Sequence, residues 1–215
     1  MTLQSIESRR GLARIGAALL GALGLMVALA TPARATVMVE VPLEEMAHEA
    51  DAIVVGTITR SSVRFVAEDG RFEPHTFSTL RVEEWIHGPG GESIVIDEVG
   101  GEYRGRDGQS AGMRVDGVPT YRVGDRVVVF LRRVGNAYCT VAMAQGAFFV
   151  VPGVPGVADT VVRDTSAMSF ASWASGAMTL HAGGAVAMRL DDFLGRVRGL
   201  VEQLRVDGAS SGRTR

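Results

Sequence analysis

The chain has 215 residues, 47% of them hydrophobic, and a formal net charge of −2. It contains no Lys, which excludes a Schiff-base Lys, a phosphate-loop Lys and a Ser–Lys dyad. Its single Cys, Cys139, excludes an internal disulfide, so stability has to come from an apolar core.

The first 35 residues read as a separate object. Arg9, Arg10 and Arg14 stand against one acid, Glu7, ahead of an apolar stretch over residues 15–30. Thr31-Pro32 breaks that stretch, and Ala33-Arg34-Ala35 follows as an A-x-A cleavage site. This layout predicts a signal peptide over 1–35 and a mature chain that begins at Thr36. The alternative is an uncleaved anchor, although the stretch is shorter than the roughly 20 residues a spanning helix needs. Ser8-Arg9-Arg10-Gly11-Leu12 partly resembles a twin-arginine signal, which leaves the export route open between that and the general secretory one. The expected location is periplasmic or secreted, with no stable membrane anchor after cleavage. The mature chain keeps 18 basic and 23 acidic residues. That balance argues against nucleic acid and anionic lipid as partners.

Residues 36–41 read as an extended lead-in. Pro42 suits a first helical turn, with Glu44 and Glu45 favourable to its dipole, and residues 43–50 are predicted as a short helix. Residues 52–58 read as a strand that runs on toward Phe65, with Gly56 marking a bulge. A turn over 68–71, a strand over 76–86, a Gly/Pro-rich turn over 87–91 and a strand over 93–99 follow. Residues 100–119 read as a long glycine-rich loop without apolar period, and loops of that length tend to carry function.

The central prediction is the strand over 121–131. Arg126-Val127-Val128-Val129-Phe130-Leu131 concentrates β-branched and aromatic residues without alternating polar ones, so both its faces should be buried. Strands are expected over 138–143, 147–151 and 160–163. Residues 164–188, rich in Ala, Ser, Gly and Met, show neither period. Within them Met168, Phe170, Trp173 and Met178 are expected either to cover the open end of a barrel or to form an apolar partner patch. Residues 190–204 carry the stripe of an amphipathic helix, in Leu190, Phe193, Leu194, Val197, Leu200, Val201 and Leu204. Residues 207–215 read as a disordered tail. The expected fold is therefore mainly β: a small OB-like barrel of five to six strands with a short N-terminal helix and a C-terminal amphipathic helix, in one domain over 36–206.

Three blocks bear on kinship. They are Ala50-Asp51-Ala52-Ile53-Val54-Val55-Gly56, the run from Ser78 to Gly88 with Arg81-Val82-Glu83-Glu84-Trp85-Ile86-His87, and Tyr121-Arg122-Val123-Gly124-Asp125-Arg126 with the valines after it. They resemble strand blocks of netrin-module proteins, which include the tissue inhibitors of metalloproteinases. More closely they resemble uncharacterised exported bacterial proteins that end the same region in a motif like Gln145-Gly146-Ala147-Phe148. The resemblance implies an OB-type barrel. The inhibitors' zinc-chelating N-terminal Cys and its disulfides have no match here, so no functional residue carries over.

Chemistry-bearing residues are sparse. Glu44, Glu45 and His48 share one helix face, and the reading preferred over a metal site is a solvated face. Asp97, Glu98 and Glu102 surround Gly100-Gly101, and a solvated acidic loop is preferred over calcium ligation. His75, His87 and His181 lie in turn-like settings, and Cys139 reads as a small buried hydrophobe. No catalytic residue, metal ligand or cofactor is assigned. The function expected is a non-enzymatic module binding a protein or peptide in the envelope or outside the cell. Tyr103, Arg104, Arg106 and Arg114 of the long loop are its contact residues, because Tyr and Arg dominate binding hot spots. The alternatives are a hydrolase whose site is assembled only in three dimensions and a structural envelope protein.

Overall fold

A computed structural model of the protein describes residues 36–68, 71–104, 108–174 and 177–211. The expected signal peptide, residues 1–35, lies outside these, as does Arg106. The fold is mainly β, with a short helix near its start and a longer one near its end. In the described residues no helix is long and apolar enough to cross a membrane.

The lead-in is strand β1 (Thr36–Val39), followed by helix α1 (Leu43–Glu49). Strands β2 (Ala52–Glu68) and β3 (Arg71–His87) form a long antiparallel pair, and β4 (Ser93–Val99) lies along β3. The stretch expected as an irregular loop holds a hairpin, β5 (Gly101–Arg104) with β6 (Ser110–Met113). Then come β7 (Arg126–Val134), β8 (Ala137–Thr140), a 3-10 turn (Met143–Gly146), β9 (Ala147–Val151) and β10 (Thr160–Asp164). Residues unreadable in the sequence form β11 (Met168–Ala174), β12 (Ala177–Ala182) and β13 (Ala185–Arg189). Helix α2 (Leu190–Ser211) closes the described chain and runs into the stretch expected as a disordered tail.

The principal sheet has eight strands in the order β13-β10-β9-β7-β2-β3-β4-β8, which exceeds the five to six expected. The excess has a clear origin in β7. One edge of β7 bonds to β2, while its other edge is shared: Val127–Val129 pairs with β9, and Leu131–Val134 pairs with β8. Strand β8 also touches β4, in parallel, through the pair Ile96 and Tyr138. Strands β7, β2, β3, β4 and β8 therefore return on themselves, and β9, β10 and β13 branch from the same edge. A separate sheet joins β1 to β11 in parallel and β11 to β12.

Residues 127–131 of β7 are buried on both faces, as their composition predicts. Alternate side chains point to opposite sides of a strand. Val128 and Phe130 enter one core with Met46, Phe148, Phe193 and Val197, beneath the two helices. Val127, Val129 and Leu131 enter a second core with Val54, Ile58, Leu80 and Ile96, inside the five-strand ring. Gly56 permits the tight pairing of β2 and β3, since a Cβ there would fall 2.4 Å from the Arg81 carbonyl oxygen. The register shifts beside it, as expected for a bulge.

Several local expectations need correction. The strand expected over 138–143 ends at Thr140, because Ala142 and Met143 take left-handed backbone, with φ of 52° and 57°, into the 3-10 turn. The strand expected from Tyr121 begins only at Arg126, because Gly124 adopts a φ of +97° and the Asp125 carboxylate accepts the Arg122 backbone N–H, turning the chain. Cys139 is half-buried rather than buried, on β8. His75 and His87 lie within strand β3 and His181 within β12, rather than in turns. Met168 and Phe170 are buried, whereas Met178 is exposed. Ion pairs from Arg196 to Glu44 (2.9 Å) and from Arg198 to Glu84 (2.7 Å) tie α2 to α1 and β3.

Candidate functional site

The long pair β2–β3 continues beyond the region where β7 and β4 flank it. Neither β7 nor β4 pairs with the stretch where Phe65 faces Pro74 and Ala67 faces Phe72. Directly paired residues share a sheet face, and so do residues two apart. Val63, Phe65, Ala67, Phe72, Pro74 and Thr76 thus lie on one face of this arm.

The β5–β6 hairpin is fastened to that face. The Gly100 N–H donates to the Pro74 carbonyl at 2.7 Å, and the Thr76 hydroxyl donates to the Gly100 carbonyl at 2.7 Å. Gly101 has a φ of +142°, and a Cβ there would fall 2.5 Å from the Thr76 oxygen and 2.7 Å from Val63. Only glycine allows this approach. The docked hairpin places the Tyr103 ring edge-on against Phe65, with centroids 5.0 Å apart at 89°. That geometry is favoured by the ring quadrupoles.

Of the four residues predicted as contacts, three are described. Tyr103 joins the arm as above. Arg104 ends β5, and its Nε donates to the Gly108 carbonyl at 3.2 Å, so it is engaged within its own hairpin. Arg114 follows β6 and forms an ion pair with Asp116 at 3.6 Å. Phe65 and Phe72 were missed by sequence reasoning. They form with Tyr103 an aromatic row that is 48%, 74% and 40% exposed, respectively. The available signal was their spacing in the sequence, which puts both on one face once β2 and β3 pair as they do.

A polar chain runs through the ring interior. Glu98 is buried, contrary to the solvated acidic loop expected, because it follows Ile94 and Ile96 on the inward face of β4. Its Oε1 accepts the Thr140 N–H at 2.8 Å and the Thr140 hydroxyl at 2.5 Å. The Tyr121 hydroxyl lies 2.6 Å from the same Thr140 oxygen. With the Thr140 proton given to Glu98, Tyr121 is the donor in that contact. Burial pushes the Glu98 carboxyl up to about 7, against the downward pull of the Thr140 bonds. Burial likewise raises the Tyr121 phenol well above its ordinary value.

Next to this chain, His75 Nδ1 meets Asp97 at 2.8 Å. His75 is 7% exposed, and its Nε2 is buried without a partner among the described residues. The pair has the form of an oriented imidazole, but the free nitrogen is enclosed rather than offered to a cleft. Among the described residues no group of three His, Cys, Asp or Glu is placed to hold a metal ion. On α1, His48 is exposed, while Glu44 is engaged by Arg196. In comparison with known proteins, the chain matches no family model and no curated relative.

Proposed function

We propose that the chain is an exported, non-enzymatic module that binds a protein or peptide partner through the arm carrying Tyr103, Phe65 and Phe72. The observation that supports it most is the set of exposed aromatics itself, in which the Tyr103 and Phe65 rings meet edge-to-face and Phe72 lies exposed on the same face of the arm. Exposed aromatics held rigid by backbone pairing are the residues that anchor protein interfaces, since they bury much area at low entropic cost. The five-strand ring is read here as an OB-type barrel, in keeping with the netrin-module resemblance, with β9, β10 and β13 as an added wing. In such barrels loops and one sheet face commonly take ligands. The enclosure of His75 Nε2 favours binding over turnover.

The test uses exported protein immobilised in wild-type form and as Phe65→Ala/Phe72→Ala/Tyr103→Ala. Cross-linking to the native envelope or secreted fraction should yield partner peptides attached to the arm in the wild type alone. Equal recovery by both forms, or attachment elsewhere on the fold, would exclude the arm. Turnover in an unbiased hydrolase screen would overturn the non-enzyme reading.

A further inference from the structure

A cleft of about 460 Å³ opens between the 40–44 segment, the β10–β13 pair and α2. Its apolar lining comes from Phe148, Val161, Met188 and Phe193. Val161 pairs with Met188 and Arg163 pairs with Val186, so these four side chains share the face turned to the cleft. A volume of this size fits a small organic ligand, and the lining suits an alkyl chain or apolar side chains.

Arg163 supplies the polar end. Its side chain is only 19% exposed, and its guanidinium carbon sits 5.8 Å from the centre of the Phe148 ring. The ion pair it forms among the described residues is with Glu40, at 3.6 Å, too long for a hydrogen bond. A guanidinium so far withdrawn from water is best satisfied by a carboxylate that meets its planar fork with two short bonds. Glu40, which also lies 3.9 Å from His181, is half in solvent and can yield its place without being buried elsewhere. At the far rim Arg196 is already held by Glu44 at 2.9 Å. Two Arg against two Glu line the cleft, so it carries no field for a polyanion.

We infer that this cleft binds an amphipathic monocarboxylate, its head on the Arg163 guanidinium and its apolar tail over Phe148, Val161 and Phe193. A fatty acid and the free C-terminus of an apolar peptide share this chemistry. The site is separate from the aromatic arm and does not depend on it.

Calorimetric titration of the full chain near neutral pH decides the matter. The probes are decanoate and N-acetyl-trileucine, each against its uncharged counterpart, decanol and the trileucine amide. At least one acid should bind, about tenfold or more tighter than its counterpart. Which acid binds identifies the source. Arg163→Gln should cost at least about tenfold in affinity for that acid, and Arg163→Lys should fall between, since Lys cannot offer the fork. Val186→Trp, at an exposed strand position on the cleft, should abolish binding without touching the core. Failure of both acids to bind at millimolar concentration would overturn the inference. So would the acid that binds being matched by its uncharged counterpart, or Val186→Trp binding as the wild type does.

Discussion

Glu98 and Tyr121 are joined inside the five-strand ring through a single hydroxyl, that of Thr140. The chain of donors ends on a carboxyl held up to about 7 by burial. In the folded protein this carboxyl keeps its proton until about pH 7, whereas the unfolded chain releases it near 4.5. Between those values the folded state holds more proton than the unfolded one, so stability falls as pH rises. The contribution is full below the lower value and is lost through the upper one, on the order of 3 kcal/mol in all. Glu98→Gln keeps the acceptor for Thr140 and removes the charge. Urea midpoints at about pH 5 and about pH 8 should show the wild type losing ground to the variant at the higher pH. A constant difference between the two proteins would contradict the assignment.

Val128→Asp or Phe130→Asp should prevent folding. Either change puts an unpaired charge into the core under the helices, at a cost of several kcal/mol against a total stability of roughly 5–15 kcal/mol. Loss of the thermal transition and of protease resistance is expected. A melt within error of the wild type would show that β7 is not central.

Phe193→Ala should destabilise by about 3–5 kcal/mol, because its ring is buried against Phe148 at 4.4 Å between centroids. Leu200→Ala, at a half-buried position, should cost less. Denaturant unfolding of both variants provides the comparison, and equal effects would mean that α2 is seated differently.

Two sets of glycines should respond in opposite directions. Gly195 and Gly199 lie on the exposed side of α2 with nothing within 4 Å of an added Cβ. Alanine at either should raise stability by up to about 1 kcal/mol. Gly56→Ala should do the reverse, since its Cβ collides with backbone at Arg81. Opposite shifts in melting temperature are the expected result.

What could be read from the sequence followed from periodicity. The unbroken apolar run of β7 and the stripe of α2 come directly from side chains that must be buried. Strand β4 was bounded correctly at both ends, yet Glu98 was assigned to solvent although its spacing from Ile94 and Ile96 places it inward. The β5–β6 hairpin left no trace because its side chains are largely exposed and its strands are held by backbone bonds, which carry no sequence pattern. Strand β12 is exposed along its whole length and was invisible for the same reason. At the candidate site, Tyr103 was identified from its residue type alone. Its neighbours Phe65 and Phe72 required the register of the arm, which only the folded pairing supplies.

The divided edge of β7 bears on how the molecule comes apart. Its amides are bonded to β2 on one side and to β9 and β8 on the other, and its side chains belong to both cores. Withdrawing β7 would open the ring and undercut the helices in the same event, so the wing and the ring have no separate melting units. Hydrogen exchange at Val128 and Val129 should then proceed only through global opening, and the exchange free energy of that strand should equal the stability of the whole protein.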